Sequence, residues 1–287
     1  MRFSVAAVFL ASATWPIFAQ DTTTMWRDPS PHKIQFVTVE ENVNLEVLDW
    51  GGVGRPVVLL AGLGNTAHVF DDFAPKLAAD YHVYGITRRG YGACSAPASG
   101  YGADRLGDDV LSALDSLRLD KPVLAGHSIA GEELSSVGSR HPNRVAGLVY
   151  LDAAYPFAFD NGKGTSMEEI QKAAPSAPVP GPADLTSVST LQAWWMRTLG
   201  LVFPEAEIRQ TRDSAPDGRL GESQTPPAVP AAILSGAKKV TAIPVPALAI
   251  CAVPQDLGPW FEQNNDRASR AIAIELAAVV EKQVKSI

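Results

Sequence analysis

The heptapeptide Ala125-Gly126-His127-Ser128-Ile129-Ala130-Gly131 carries the sharpest chemical signal in the chain. It follows the apolar run Pro122-Val123-Leu124 and opens a helix-like stretch. A serine between small residues at a strand-to-helix junction has the layout of a nucleophile elbow. There a sharp turn lifts the hydroxyl above a sheet and aims the next backbone N–H at a reacting carbonyl. The turn needs near-absent neighbours. Gly126 stands two before the serine, and Ala130 stands two after it, where glycine is usual. The competing reading of the heptapeptide alone is a glycine-rich β-to-α turn with an incidental serine.

The elements around it must belong to a sizeable domain. The chain has 287 residues, 46% hydrophobic and 19% charged, which suits one large domain or a domain with an insertion. Net charge is −7, and the only adjacent basic pairs are Arg88-Arg89 and Lys238-Lys239, so nothing points to nucleic acid. Residues 1–19 read as a signal peptide. Arg2 supplies the positive start, Val5 to Leu10 the apolar stretch, and Ile17-Phe18-Ala19 a cleavage site before Gln20. Thr14 and Pro16 interrupt the apolar run, which is short for a membrane span. The expected mature protein is therefore secreted or periplasmic, without stable membrane association. Two cysteines, Cys94 in a glycine-rich loop and Cys251 in an apolar run, are too few for a disulfide scaffold, and their spacing leaves a bridge open. No metal-ligand cluster, phosphate loop or dinucleotide fingerprint appears in the sequence, so no cofactor or metal is implied.

Alternation at Ile34–Val39 and Val43–Trp50 around Glu40-Glu41-Asn42 predicts an antiparallel hairpin. Continuous apolar runs at Pro56–Ala61, His82–Thr87, Pro122–Ala125, Val145–Leu151 and Pro246–Val253 predict strands buried on both faces. Helical periodicity at Gly102–Leu117 and Ile129–Arg140 separates them. This alternation implies an α/β protein with a mostly parallel sheet and helices on both faces. From about Phe157 to Val240 proline and alanine cluster, with helical candidates at Ser187–Leu199 and Pro204–Arg212, which predicts a helical insertion rather than more sheet. Phe261–Val284 is a long helix candidate. The expected organisation is a core over 20–156, a helical lid insertion over 157–243, and the rest of the core over 244–287.

The chain resembles the α/β-hydrolase family over about 34–156 and again from about 244. Ala61-Gly62-Leu63-Gly64 resembles the family's oxyanion loop, with alanine where histidine is common. Arg88-Arg89-Gly90-Tyr91-Gly92-Ala93-Cys94-Ser95-Ala96-Pro97 resembles its R-G-x-G-x-S-x-x-P loop. Gly126-His127-Ser128 is similar to its elbow, and His141-Pro142 followed by Gly147–Asp152 to the next helix end and strand. The resemblance implies acyl transfer with Ser128 as nucleophile and the backbone N–H groups of Leu63 and Ile129 as oxyanion donors, each worth about 2.7–4 kcal/mol in the transition state. It places the orienting acid at Asp256, with Asp152 as the competitor. His127 is expected to be structural, and Glu132 and Glu133 to complement the dipole at the start of the elbow helix.

The pattern breaks at the base. The resemblance implies a histidine downstream of the acid, yet the five histidines stand at 32, 68, 82, 127 and 141. His141 lies thirteen residues along the helix, roughly 20 Å from Ser128. His68 follows the oxyanion loop but is out of place for the family's base. A final strand to carry the base is missing as well. The expectation is a C-terminally truncated fragment, or alternatively a protein that has lost its base; either leaves weak catalysis. Trp194, Trp195, Met196, Leu201, Val202 and Phe203, with Trp260 and Phe261, would line an apolar pocket, or simply pack the lid. The implied reaction is hydrolysis of a small hydrophobic ester or thioester. The alternatives are carbon–carbon bond hydrolysis and a non-catalytic ligand-binding protein.

Overall fold

The computed structural model describes residues 26–153, 179–238 and 240–251. Seven strands form one sheet in the order β1-β2-β4-β3-β5-β6-β9. β1 (Lys33–Glu40) and β2 (Val43–Gly51) form the expected antiparallel hairpin, and β2 pairs antiparallel with β4 (His82–Ile86). From β4 onward every neighbour is parallel: β3 (Pro56–Leu60), β5 (Val123–His127), β6 (Gly147–Leu151) and β9 (Ala247–Ile250).

The apolar runs are continuous because both faces of the sheet are covered. Val58 and Leu60 point into a core with Val110 and Leu114 of α2 (Ala103–Ser116) and Leu134 and Val137 of α3 (Gly131–Arg140). Val57 and Leu59, one residue out of phase, join Phe70 and Ala74 on the opposite face, beside α1 (Ala74–Leu77). Burial of each such Val or Leu is worth about 1.5–3 kcal/mol. β9 is the outermost of the described strands on its side, and Leu248 and Ile250 remain about half exposed.

The segment between β6 and β9 is partly helical. α4 (Val188–Leu199) is capped reciprocally by Ser187 and Thr190 and ends at Gly200, with φ +69°. α5 (Glu205–Thr211) follows. Both match the helical candidates to within a residue or two. Two features depart from the sequence reading. β7 (Arg212–Ser214) and β8 (Leu220–Ser223) form a small antiparallel sheet, and α6 (Ala228–Ser235) arises inside a proline-rich stretch. The strands are too short and polar to show a buried pattern. Pro230 is tolerated because it falls in the first helical turn, where backbone N–H groups have no helical partner.

The expected signal peptide over 1–19, Phe157 and the start of the insertion, Asp256, Trp260, Phe261 and the helix candidate from Phe261 lie outside the described residues. Both cysteines are free. The Cys94 thiol donates to Thr87 O at 3.2 Å and accepts from Glu46 N at 3.2 Å, and its burial pushes the pKa up to about 12. No helix among the described residues is long and apolar enough to cross a membrane.

Candidate active site

β5 ends at His127, and a 3-10 turn over Ser128–Ala130 leads into α3. Ser128 takes φ +54°, a left-handed conformation that costs a non-glycine residue about 1–3 kcal/mol. The surroundings enforce it. A Cβ on Gly126 would stand 3.0 Å from the Ala130 Cβ and 3.1 Å from Leu134 Cδ1, so residue 126 has little room for a side chain. A Cβ on Gly62 would stand 2.9 Å from His127 Nδ1 and 3.5 Å from the Ser128 Cβ, which puts the loop after β3 directly against the elbow. The Leu63 and Ile129 side chains share one apolar cluster with Tyr91, Tyr101 and Leu106, so the two residues whose N–H groups were assigned to the oxyanion lie together.

The loop is held by a buried arginine. Arg88 Nη2 donates to Ala61 O at 2.8 Å and Nη1 to Gly62 O at 3.3 Å. The same guanidinium makes a two-point bridge to Glu133 of α3, Nε to Oε1 at 2.6 Å and Nη2 to Oε2 at 2.8 Å. Arg88 thus fastens the oxyanion-type loop to the helix that carries the serine. Glu132 and Glu133 lie in the first turn of α3, as the dipole reading expects, and both are buried as well, at 2% and 3% exposure. Glu132 Oε2 has no hydrogen-bond partner. Desolvation first, and the Glu133 charge second, push the Glu132 pKa up to about 8 against the opposing pull of Arg88. Arg89 is likewise buried, on Asp109 at 2.5 and 2.6 Å, so the Arg88-Arg89 pair forms no basic surface.

The segment between β6 and β9 forms a wall beside the loop. The Glu207 carboxylate of α5 accepts from Thr66 N at 3.0 Å and Asn65 Nδ2 at 2.9 Å, and from the Thr66 hydroxyl. Burial raises the Glu207 pKa, and these bonds oppose the shift. A cleft of about 230 Å³ lies between Leu63, Gly64 and Asn65 on one side and Trp195, Phe203, Glu207, Ile208 and Thr211 on the other. Trp194 does not line this cleft. It packs in the interior of the segment with Val188, Leu191 and Ile208. Adjacent helical residues point about 100° apart, so of the two neighbouring tryptophans only Trp195 faces the cleft. Met196, Leu201 and Val202 are exposed rather than cleft-lining.

Asp152 follows β6 at φ +47°, and its charge acts on both His127 and Cys251. Burial lowers the His127 pKa, and Asp152 partly offsets this. Asp256 lies outside the described residues. His82 bonds Asp49 at 2.9 Å, away from the elbow strand. His68 is 1% exposed and held by Asp71 and Glu46, which removes it as a base for Ser128. Burial acts to lower its pKa, but hydrogen bonds and charge from Asp71 and Glu46 prevail and raise it to about 10. The sequence showed no metal-ligand cluster, yet the fold gathers Asp28, His32, His68 and Asp71 with one ligand atom each within 4.8 Å of one another.

Residues 55–179 match the family model described as alpha/beta hydrolase fold. The chain is 33% identical over 123 residues to the AB hydrolase superfamily protein YisY of Bacillus subtilis, covering 42% of this chain and 46% of that one. It is 27% identical over 125 residues to the bifunctional esterase/perhydrolase DCH of Acinetobacter calcoaceticus, covering 42% and 45%. These matches span less than half the length of either relative. A solved E-2-(acetamidomethylene)succinate hydrolase superposes with a TM-score of 0.56 at 15% identity, covering 85% of this chain and 99% of that one; at such identity the likeness speaks for the fold alone.

Proposed function

We propose that this chain, an α/β-hydrolase-fold protein, is a serine hydrolase in which Ser128 attacks the carbonyl of a small hydrophobic ester or thioester. The observation that carries the reading is the strained Ser128, φ +54°, set against Gly62 of a loop clamped by Arg88. Strain kept in a non-glycine residue at a strand-to-helix junction is typical of a residue held for chemistry.

In the proposed reaction the Ser128 oxygen bonds to the acyl carbon while the Leu63 and Ile129 N–H groups hold the developing oxyanion. Collapse expels the alcohol or thiol, which takes the proton lost by Ser128. Water then adds to the acyl-enzyme and releases the acid. The orienting carboxylate is Asp256, with Asp152 as the second candidate. The apolar face of the cleft, Leu63, Trp195, Phe203 and Ile208, suits a small hydrophobic group. The segment over the elbow acts as a lid. A serine hydroxyl is a weak nucleophile without an adjacent base, so the rate of the first step rests on the group that takes the Ser128 proton.

The test is covalent. A fluorophosphonate probe should add to Ser128, and peptide mass mapping should place the adduct there. Ser128→Ala should abolish both the adduct and any hydrolysis of p-nitrophenyl acetate or butyrate. Equal labelling of the variant would overturn the assignment. A folded wild-type chain that binds acids reversibly and never acylates would instead be a ligand-binding protein.

A further inference from the structure

Two short segments meet at the turn that follows the Gly62–Asn65 loop. Asp28 and His32 come from the segment preceding β1. His68 and Asp71 come from the turn that follows the Gly62–Asn65 loop, where Thr66 caps a 3-10 helix over Ala67–Phe70. His32 Nδ1 lies 2.9 Å from Asp71 Oδ1, and His68 Nδ1 lies 3.2 Å from Asp71 Oδ2. Asp28 Oδ2 lies 3.2 Å from His68 Nδ1 and 3.6 Å from His32 Nε2. The side chains of His68, His32 and Asp71 are 1%, 2% and 5% exposed, and that of Asp28 is 20% exposed.

We propose that Asp28, His32, His68 and Asp71 form a zinc-class divalent-cation site of two imidazoles and two carboxylates. Bonds of about 2.0–2.2 Å in a tetrahedron set neighbouring ligand atoms about 3.4 Å apart. Three separations, 3.2, 3.2 and 3.6 Å, join one ligand atom each of His68, Asp71, Asp28 and His32 and lie near that edge, while the 2.9 Å contact joins the other His32 nitrogen to the other Asp71 oxygen. Hydrogen bonding alone serves the cluster poorly. His68 Nδ1 carries at most one hydrogen yet faces two carboxylate oxygens at 3.2 Å. A cation at the point of convergence satisfies both.

The surroundings match what a bound cation needs. The far nitrogen of His68, Nε2, is 3.5 Å from Glu46 Oε1, and Glu46 is fixed in turn by the Thr87 hydroxyl at 3.0 Å. A metal-ligating histidine characteristically gives its other N–H to a carboxylate, which fixes the ring. His32 stands edge-on to Trp50 and to His68, with ring centroids 5.6 and 5.0 Å away. Four protein ligands close the shell, which is the pattern of a structural site rather than a catalytic one. The cation would staple the segment before β1 to the turn that carries Thr66, the residue to which Glu207 is bonded.

The test uses the full chain, stripped with a chelator and titrated with zinc chloride at neutral pH. Metal content after desalting should reach one zinc per chain and should raise the melting temperature. X-ray absorption of the loaded protein should give an all-nitrogen/oxygen shell at about 2.0–2.1 Å, with imidazole scattering. Asp28→Asn, at the exposed corner, should keep the fold and weaken zinc binding at least about tenfold. A folded wild-type chain that retains no zinc overturns the proposal. So does sulfur in the shell, which would place the metal on Cys94 or Cys251, and so does undiminished binding by Asp28→Asn. The result is independent of Ser128 labelling, so failure here and failure of the hydrolase reading are separable.

Discussion

Two buried ionic clusters bracket the loop that follows β3, and they are built on opposite principles. On the elbow side, Arg88 faces Glu133 in a two-point bridge and spends its remaining reach on the carbonyls of Ala61 and Gly62. One cation meets one carboxylate, and the arrangement is closed. On the other side, Asp28, Asp71 and Glu46 crowd two imidazoles, and two carboxylates share one ring nitrogen. The first cluster is complete with the chain's own charges and locks a reacting surface in place. The second is rich in anions and is completed by something added. Buried charges persist only when paired and hydrogen-bonded, so the contrast separates a clamp from a receptor.

The comparison breaks most visibly at Arg88. Arg88→Met leaves Glu133 buried without its cation and should cost about 3–5 kcal/mol in denaturant melts. Surviving folded protein should also label more slowly at Ser128, since the loop loses its tie to α3. Glu207→Gln comes next. Glutamine can present only one oxygen to Thr66 N and the Thr66 hydroxyl, so about 1–3 kcal/mol should be lost, read by the same melts.

Glu132→Gln should act in the opposite direction. The folded carboxyl holds its proton up to about pH 8, against 4.5 for an unperturbed glutamate. The folded state therefore binds more protons than the unfolded state between those values, and wild-type stability falls as pH rises through that window. Glu132→Gln removes this term. It should gain about 1–3 kcal/mol over wild type at pH 8 and little at pH 4.5, measured by paired urea titrations. The smallest effect is expected at the anion-rich cluster. Without zinc, Asp28→Asn should change stability by less than about 1 kcal/mol, because it removes a partly exposed charge from an excess of like charges. A large loss there would mean that the cluster is self-sufficient, and the contrast with the Arg88 clamp would fail.

What was legible in the chain follows from locality. β3, PVVLL, and the strand-to-helix heptapeptide announce themselves because burial on both faces and a tight turn each restrict residue type over a few neighbouring positions. The long-range partnerships were hidden. Acidic residues in a first helical turn are ordinarily dipole partners, and only the arrival of Arg88, 45 residues earlier, makes Glu133 a buried clamp. Trp194 and Trp195 are indistinguishable by type, and helix rotation alone sends one inward and the other to the cleft. The His–Asp cluster did leave a trace: Asp28 and His32 at i,i+4, and His68 and Asp71 at i,i+3. Each half is too common to signal a site, and only the fold joins them.

The central claim is that Ser128 is a nucleophile. Intact-mass measurement after incubation with a fluorophosphonate, followed by peptide mapping, tests it most directly. One adduct per chain is expected, on the peptide containing Ser128 and absent from Ser128→Ala. No adduct on a folded chain, or an adduct on any other residue, would contradict it.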